Sequence, residues 1–177
     1  LELCPQLAPP APPRPEVSGR RLRIGVISGS LKEHTIGKLT LGIIEELDRS
    51  RFEVVVLRLE RADDDFGRTI DAAADTVVQV PLQLDAAREQ IAALSLDVLF
   101  YTDIGLDAFT YLLAFARLAP VQAVTWGHPV TTGIPAIDYF VSSALLEPEG
   151  AADHYSEQLI RLQGLPVCYR RWPRPPR

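Results

Sequence analysis

The sequence predicts an α/β protein, a Rossmann-like doubly wound parallel sheet, and three observations predict it. Short runs rich in Val, Ile and Leu recur along the chain, as in LRIGVIS at Leu22–Ser28, FEVVVLRL at Phe52–Leu59 and VQAVT at Val121–Thr125. Strands covered on both faces read this way, without alternation of polar and apolar residues. Between these runs lie stretches whose apolar residues return at helical spacing. Strand and helix then alternate as far as about Leu162, the pattern of a parallel sheet with right-handed crossovers.

Taken in order, Leu22–Ser28 is the first buried strand, and Ser28–Thr35 turns away from it. From Ile36 to Leu47 the residues Ile36, Leu39, Ile43, Ile44 and Leu47 share a helix face. Phe52–Leu59 is the second strand. The acidic loop Arg61–Asp65 leads to a short helix at about Thr69–Ala74, and Thr76–Val80, closed by Pro81, is the third strand. A helix is expected over Leu84–Leu94, a fourth strand over Leu96–Tyr101, and a helix over Ala108–Leu118 that returns the chain to Val121–Thr125. Asp138–Ser142 has the β-branched and aromatic content of a sixth strand. A short helix near Ala151–Tyr155 and a last strand at Leu159–Leu162 complete the core. No internal repeat is present.

Composition bounds the rest. The chain has 177 residues, 47% hydrophobic and 23% charged, which suits one ordinary domain with a proper core. Residues 1–20 read as a Pro-rich linker, 21–165 as the folded lobe and 166–177 as a Pro/Arg-rich exit linker. The net charge is −5 with acidic residues spread throughout, so nucleic acid is excluded as the main partner. The one basic cluster, Arg170, Arg171, Arg174 and Arg177, reads as a solvated tail. Cys4 and Cys168 stand alone, with neither a disulfide framework nor the spacing of metal ligands. No apolar run approaches about 18 residues and no secretory signal opens the chain, so the expectation is a cytoplasmic protein without a membrane segment. With no Met and Pro-rich ends, the sequence reads as an excerpt of a longer protein. The scarcity of lysine and the Ala/Arg/Asp bias suggest a bacterium with a GC-rich genome.

In a parallel sheet the loops that follow strands gather at one edge, so the segments after Ser28, Tyr101 and Thr125 should line one crevice. The first, SGSLKEHTIGK, has neither GxGxxG nor GxxxxGK[ST], and Ser28 in GVISG lacks the spacing of a hydrolase nucleophile elbow. It carries His34, whose imidazole can hydrogen-bond a hydroxyl or move a proton, with Thr35 available to cap the following helix. By itself a loop histidine is most often a polar surface residue. The second loop carries Asp103, which could hold a ligand's hydroxyl or simply cap a helix, as could Asp107. The third, GHPVTTGIP, combines Gly127 and Gly133 with Pro129 and Pro135, and Thr131 and Thr132 place hydroxyls at the strand's carboxyl end. Taken alone, such a loop is most often only a turn.

The wording of these segments adds to that reading. LAPVQAVTWGHPVTTGIPAIDYFVSS at Leu118–Ser143, HYSEQLIRL at His154–Leu162 and RIGVISGSLKEHTIGKL at Arg23–Leu39 closely resemble the catalytic region of the O-linked N-acetylglucosamine transferases, in their bacterial, tetratricopeptide-repeat-associated branch. The resemblance covers roughly Leu22 to Pro166. It implies the amino-terminal half of a two-lobed, GT-B-type glycosyltransferase. The implied reaction is inverting transfer of N-acetylglucosamine, or another sugar, from a UDP-sugar to a protein Ser or Thr, with no cofactor and no metal. A carboxyl-terminal lobe and helical repeats of the same chain are further partners that the resemblance implies, and this excerpt is then inactive alone.

Residue by residue, the resemblance makes His34 the catalytic candidate. It places Gly127, His128, Pro129, Thr131, Thr132, Asp103 and Lys38 on the substrate side. His128 stands where many relatives have Tyr, TIGK follows His34 where many have Pro-Thr-Ser-His, and YTDIGLD replaces an Asn-Gly-Tyr-Thr run. The alternative function is a non-catalytic interaction domain, a lobe kept as scaffold within a repeat protein.

Overall fold

A computed structural model describes residues 19–170. The amino-terminal Pro-rich stretch, with Cys4, and the end of the tail lie outside the described residues. Seven strands form one parallel sheet in the order β3-β2-β1-β4-β5-β6-β7. They are β1 (Leu22–Ser28), β2 (Phe52–Arg58), β3 (Thr76–Gln79), β4 (Val98–Tyr101), β5 (Val121–Thr125), β6 (Tyr139–Ser143) and β7 (Gln158–Leu162). The helices are α1 (Thr35–Glu46), α2 (Asp65–Ala73), α3 (Leu84–Ala93) and α4 (Ala108–Leu113), with a 3-10 turn at Ala151–His154. The chain builds outward from β1 to β3, then returns to place β4 on the other side of β1. That reversal between β1 and β4 is the switch point at which open α/β sheets open a crevice.

The continuous apolar runs follow from burial on both faces. Val26, Val54 and Val56 point into one core with Leu41, Ile44, Phe66 and Ile70 of α1 and α2. Their sequence neighbours Ile27, Val55 and Leu57 point into the other, with Ile91, Leu113, Leu99 and Val124. Side chains alternate at period two, so a strand between two helical layers must be apolar at every position. Each such side chain stabilises the fold by about 1.5–3 kcal/mol relative to its exposed state.

Boundaries depart from the sequence reading where side chains redirect the backbone. α2 starts at Asp65 rather than near Thr69, because the Asp64 carboxylate accepts from Gly67 N at 2.5 Å and caps the helix there. α4 stops at Leu113 instead of Leu118. There Leu118 N donates to the buried Gln122 side chain at 2.9 Å and Arg117 pairs with Asp138, which draws the chain out of the helix toward β5. The β5–β6 crossover contains no helix at all.

Pro166–Arg170, expected as the start of an exit linker, lies across α1. A Cβ on Gly42 would overlap the Cys168 carbonyl, Pro166 is buried, and Arg170 pairs with Glu45 at 2.8 Å. At the opposite, amino-terminal edge of the sheet, Arg20 grips Asp97 through two bonds of 2.6 Å and holds its carboxyl below its ordinary value. Among the described residues no helix is long and apolar enough to cross a membrane.

Candidate functional site

Three loops meet at the carboxyl edge of the sheet: loop 1 (residues 29–34) after β1, loop 4 (102–107) after β4 and loop 5 (126–138) after β5. Loop 4 joins the other two. The Asp103 carboxylate, 0% exposed, accepts through Oδ2 from the Ser28 hydroxyl at 2.7 Å and from Gly29 N at 2.8 Å. On its other side loop 4 meets loop 5 by backbone contact. A Cβ on Gly127 would overlap the Thr102 carbonyl and come within 2.9 Å of Ile36 Cδ1, so only glycine lets the two loops close up. Gly105, at φ +97°, lies under the His128 ring and has no room for a side chain either.

The resemblance places Gly127 on the substrate side; in the structure its α-carbon faces protein. A narrow cleft remains along this seam, lined by Ile36, Thr40 and Val167 as well as Thr102, Trp126 and Gly127. The Trp126 Nε1 and Thr102 hydroxyl are buried there without hydrogen-bond partners among the described residues.

His34 is exposed and stands at the start of α1, where it, not Thr35, is the N-cap. Its Nδ1 accepts from Ile36 N at 3.2 Å. A ring nitrogen that accepts an N–H leaves the imidazole proton on the other nitrogen, so Nε2 faces outward as a donor. Lys38, one turn further on, does not join the loop junction. It opens onto a cavity of about 480 Å³ between α1 and α2, with Glu33, Asp65, Phe66 and Thr69, and pairs with Glu33 at 3.7 Å.

Thr131 and Thr132 were expected to offer hydroxyls to a ligand; both are already engaged by Glu157. Thr131 Oγ1 donates to Glu157 Oε2 at 2.8 Å, Thr132 N donates to Oε1 at 2.8 Å, and the Thr132 hydroxyl also donates to Oε1. Ser156 N donates to Thr131 Oγ1 at 3.0 Å. These bonds staple loop 5 to the start of β7. Pro129 is exposed next to the half-buried His128 at the outer turn of loop 5.

The two buried acids at this edge of the sheet differ electrostatically. Burial pushes the Asp103 carboxyl above its ordinary value, with Asp107 adding to the rise, against the opposing pull of Ser28 and Gly29. Burial also pushes on Glu157, but the donors from Thr132 and Thr131 outweigh it and hold that carboxyl below its ordinary value. Asp107 takes the capping role open to it in the sequence, accepting from Thr110 N at 2.7 Å at the start of α4.

Sequence reasoning missed Glu157 and Ser28. Glu157 was visible only as a letter in HYSEQLIRL, and its partners lie 25 and 26 residues upstream. Ser28 was weighed only as a nucleophile. Its signal was position: a polar residue closing a strand whose other residues are mostly apolar. Among the described residues no group of three or more His, Cys, Asp or Glu side chains could hold a metal ion.

The family model for glycosyl transferase family 41 matches residues 10–165. A probable UDP-N-acetylglucosamine–peptide N-acetylglucosaminyltransferase SPINDLY of Oryza sativa subsp. japonica is 30% identical over 165 residues, 88% of this chain and 17% of its own length. The UDP-N-acetylglucosamine–peptide N-acetylglucosaminyltransferase of Caenorhabditis elegans is 30% identical over 146 residues, 80% of this chain and 13% of its own. Among solved structures, a mutant of the Thermobaculum terrenum O-GlcNAc transferase superposes with a TM-score of 0.81 at 30% identity. That match covers 92% of this chain and 32% of the solved one. The chain thus spans about a sixth of the rice relative and a third of the solved chain.

Proposed function

Because this chain belongs to glycosyl transferase family 41, we propose that it is the amino-terminal lobe of an inverting, GT-B-type transferase moving N-acetylglucosamine, or another sugar, from a UDP-sugar to a protein Ser or Thr. One observation carries the proposal: loops 1, 4 and 5 close on one another at the β1/β4 switch point, where α/β sheets bind ligands. The second lobe, supplying most of the nucleotide contacts, and helical repeats that select acceptors belong to the rest of the protein in this reading. So do a bacterial source and a cytoplasmic setting.

In the proposed reaction the acceptor hydroxyl attacks the anomeric carbon, the bond from that carbon to the diphosphate oxygen breaks, and UDP leaves as the configuration inverts. The hydroxyl proton must go somewhere. In the capped state the Nδ1 lone pair of His34 is occupied by Ile36 N–H and Nε2 carries hydrogen. His34 then orients oxygen as a donor, and the proton passes to an oxygen of the departing diphosphate. For His34 to take the proton at Nε2, the imidazole must first move its hydrogen to Nδ1 and surrender the cap, at a cost of about 1 kcal/mol. No metal takes part in this scheme. His128 and Pro129 present the outer turn of loop 5 to the sugar, while Thr131, Thr132 and Gly127 fix where that turn stands.

The test is mass spectrometry of acceptor proteins after incubation of the full-length protein with UDP-N-acetylglucosamine or another UDP-sugar. Addition of one sugar residue to Ser or Thr is expected. A full-length protein that binds the donor and modifies nothing contradicts the proposal and favours the scaffold alternative.

A further inference from the structure

Loop 1 is held from outside by three side chains. Arg58, buried at the end of β2, donates to the Leu31 carbonyl; Asp64, the cap of α2, accepts from Glu33 N at 2.8 Å; and Asp103 takes Ser28 and Gly29. Asp103 differs from the other two in where it stands. Its neighbour Thr102 presents the carbonyl on which Gly127 packs, and Gly105, two residues on, lies under His128. Residues 102–105 therefore touch both other loops, and within them Asp103 makes the hydrogen bonds to loop 1.

The geometry also speaks against one of the two roles open to it in the sequence, the contact with a sugar hydroxyl. Asp103 has no exposed surface, and both donors to it, Ser28 and Gly29, converge on one oxygen. Its Oδ1 makes no well-formed hydrogen bond among the described residues, although the Thr110 hydroxyl lies beside it. A carboxyl with no exposed surface does not reach a sugar from this position.

We propose that Asp103 is a positioning residue: through the Ser28 hydroxyl and Gly29 N it sets the path of loop 1 from β1, and so places the His34 imidazole relative to Gly127 and His128. The chain of contacts is short. Asp103 holds Ser28, the Ser28 oxygen accepts from Ser30 N at 2.8 Å, and loop 1 then runs four residues to the cap of α1. Asp103 is thus one point, beside the contact of Gly127 with Ile36, through which a shift in loop 4 or loop 5 reaches the proposed catalytic histidine. This inference rests on the transferase reading above.

The experiment uses the full-length protein, with sugar transfer from UDP-N-acetylglucosamine and amide hydrogen exchange over residues 28–35 as separate readouts. Asp103→Ala and Ser28→Ala are expected to lower kcat by about 10- to 100-fold, the scale of a small misplacement of a reacting group, with little change in donor KM. Both should speed exchange in loop 1. Asp103→Asn, which keeps an acceptor oxygen for Ser28 and Gly29, should recover most of the turnover and the slow exchange.

A rise in donor KM in Asp103→Ala with loop 1 exchange unchanged overturns the proposal, because Asp103 would then touch substrate. Unchanged turnover and exchange in Ser28→Ala overturn it as well, and decide the matter if Asp103→Ala does not fold. Should the wild type transfer no sugar, the functional reading fails on its own. The exchange arm then still stands: faster exchange in Ser28→Ala and Asp103→Ala than in Asp103→Asn supports the positioning role, and equal exchange in all three overturns it.

Discussion

Loops 1 and 5 are each fastened by one buried carboxylate, Asp103 for the first and Glu157 for the second, yet the two acids lean in opposite directions. Glu157, 5% exposed, receives three donors spread over both oxygens, and those donors favour its charge. Asp103, 0% exposed, receives two donors on a single oxygen, and burial prevails. The difference teaches that fastening a loop and stabilising a charge are separable tasks. Loop 5 is a finished staple, with Thr131 and Thr132 consumed by it. Loop 1 is held in part by a group whose burial opposes its charge, and it ends in an exposed histidine, which suits the role proposed for it in transfer.

The strongest way to break the comparison is at the seam the two loops share through loop 4. Gly127→Ala, and more so Gly127→Val, must push the Thr102 carbonyl away. Both are expected to destabilise the protein, the alanine by about 2–3 kcal/mol as overpacking does. Thermal unfolding of the full-length protein checks this. A Gly127→Val variant that is inactive but fully stable would show that Gly127 makes room for substrate and not for the Thr102 carbonyl.

Glu157→Ala comes next. It leaves Thr132 N and two hydroxyls without their acceptor, at a cost of about 2–4 kcal/mol. The pH dependence of stability separates the two acids. Glu157 is held low, so the stability it contributes is present above the ordinary glutamate range and is lost as pH falls through its lowered value. Asp103 is held high. Between its ordinary and its raised value the folded state binds more protons than the unfolded one, so stability falls as pH rises through that window, and Asp107 strengthens the effect. Glu157→Gln should therefore flatten the acid side of the stability profile, while Asp103→Asn should remove a loss that the wild type suffers as pH rises. Profiles that change in the same sense for both would refute the contrast.

Much of this arrangement was legible in the sequence, and the reason is local. β1 and β5 fall where their apolar runs place them, Leu22–Ser28 and Val121–Thr125, because a central parallel strand needs apolar residues on both faces. The meeting of loops 1, 4 and 5 followed from strand alternation alone. What was not legible depends on contacts between distant residues. Ser28 and Asp103 lie 75 positions apart, and nothing in DIGLD says that its first aspartate turns inward while its second caps α4. The engagement of Thr131 and Thr132 could not be read from their own loop because Glu157 arrives from a later segment, just before β7. His34 was identified as the active-site candidate, but its capping bond, which decides the tautomer, depends on loop 1 ending one residue before α1.

The smallest stability effect is expected at that cap. His34→Ala should cost about 1 kcal/mol, since one hydrogen bond at an exposed helix start is lost, while sugar transfer falls by about 10²-fold or more. His34→Asn, a good N-cap, should restore the stability and not the full turnover. If it restores both, His34 caps the helix and positions a ligand by hydrogen bonding, and does not take up the proton.

The claim that loops 1, 4 and 5 form one substrate face is tested most directly by amide hydrogen exchange of the full-length protein with and without UDP-N-acetylglucosamine and an acceptor peptide. Slowed exchange is expected together in residues 29–34, 102–107 and 126–133, with the α1–α2 cavity around Lys38 unchanged. Protection confined to that cavity, or absent from all three loops while the donor is demonstrably bound, would contradict the account.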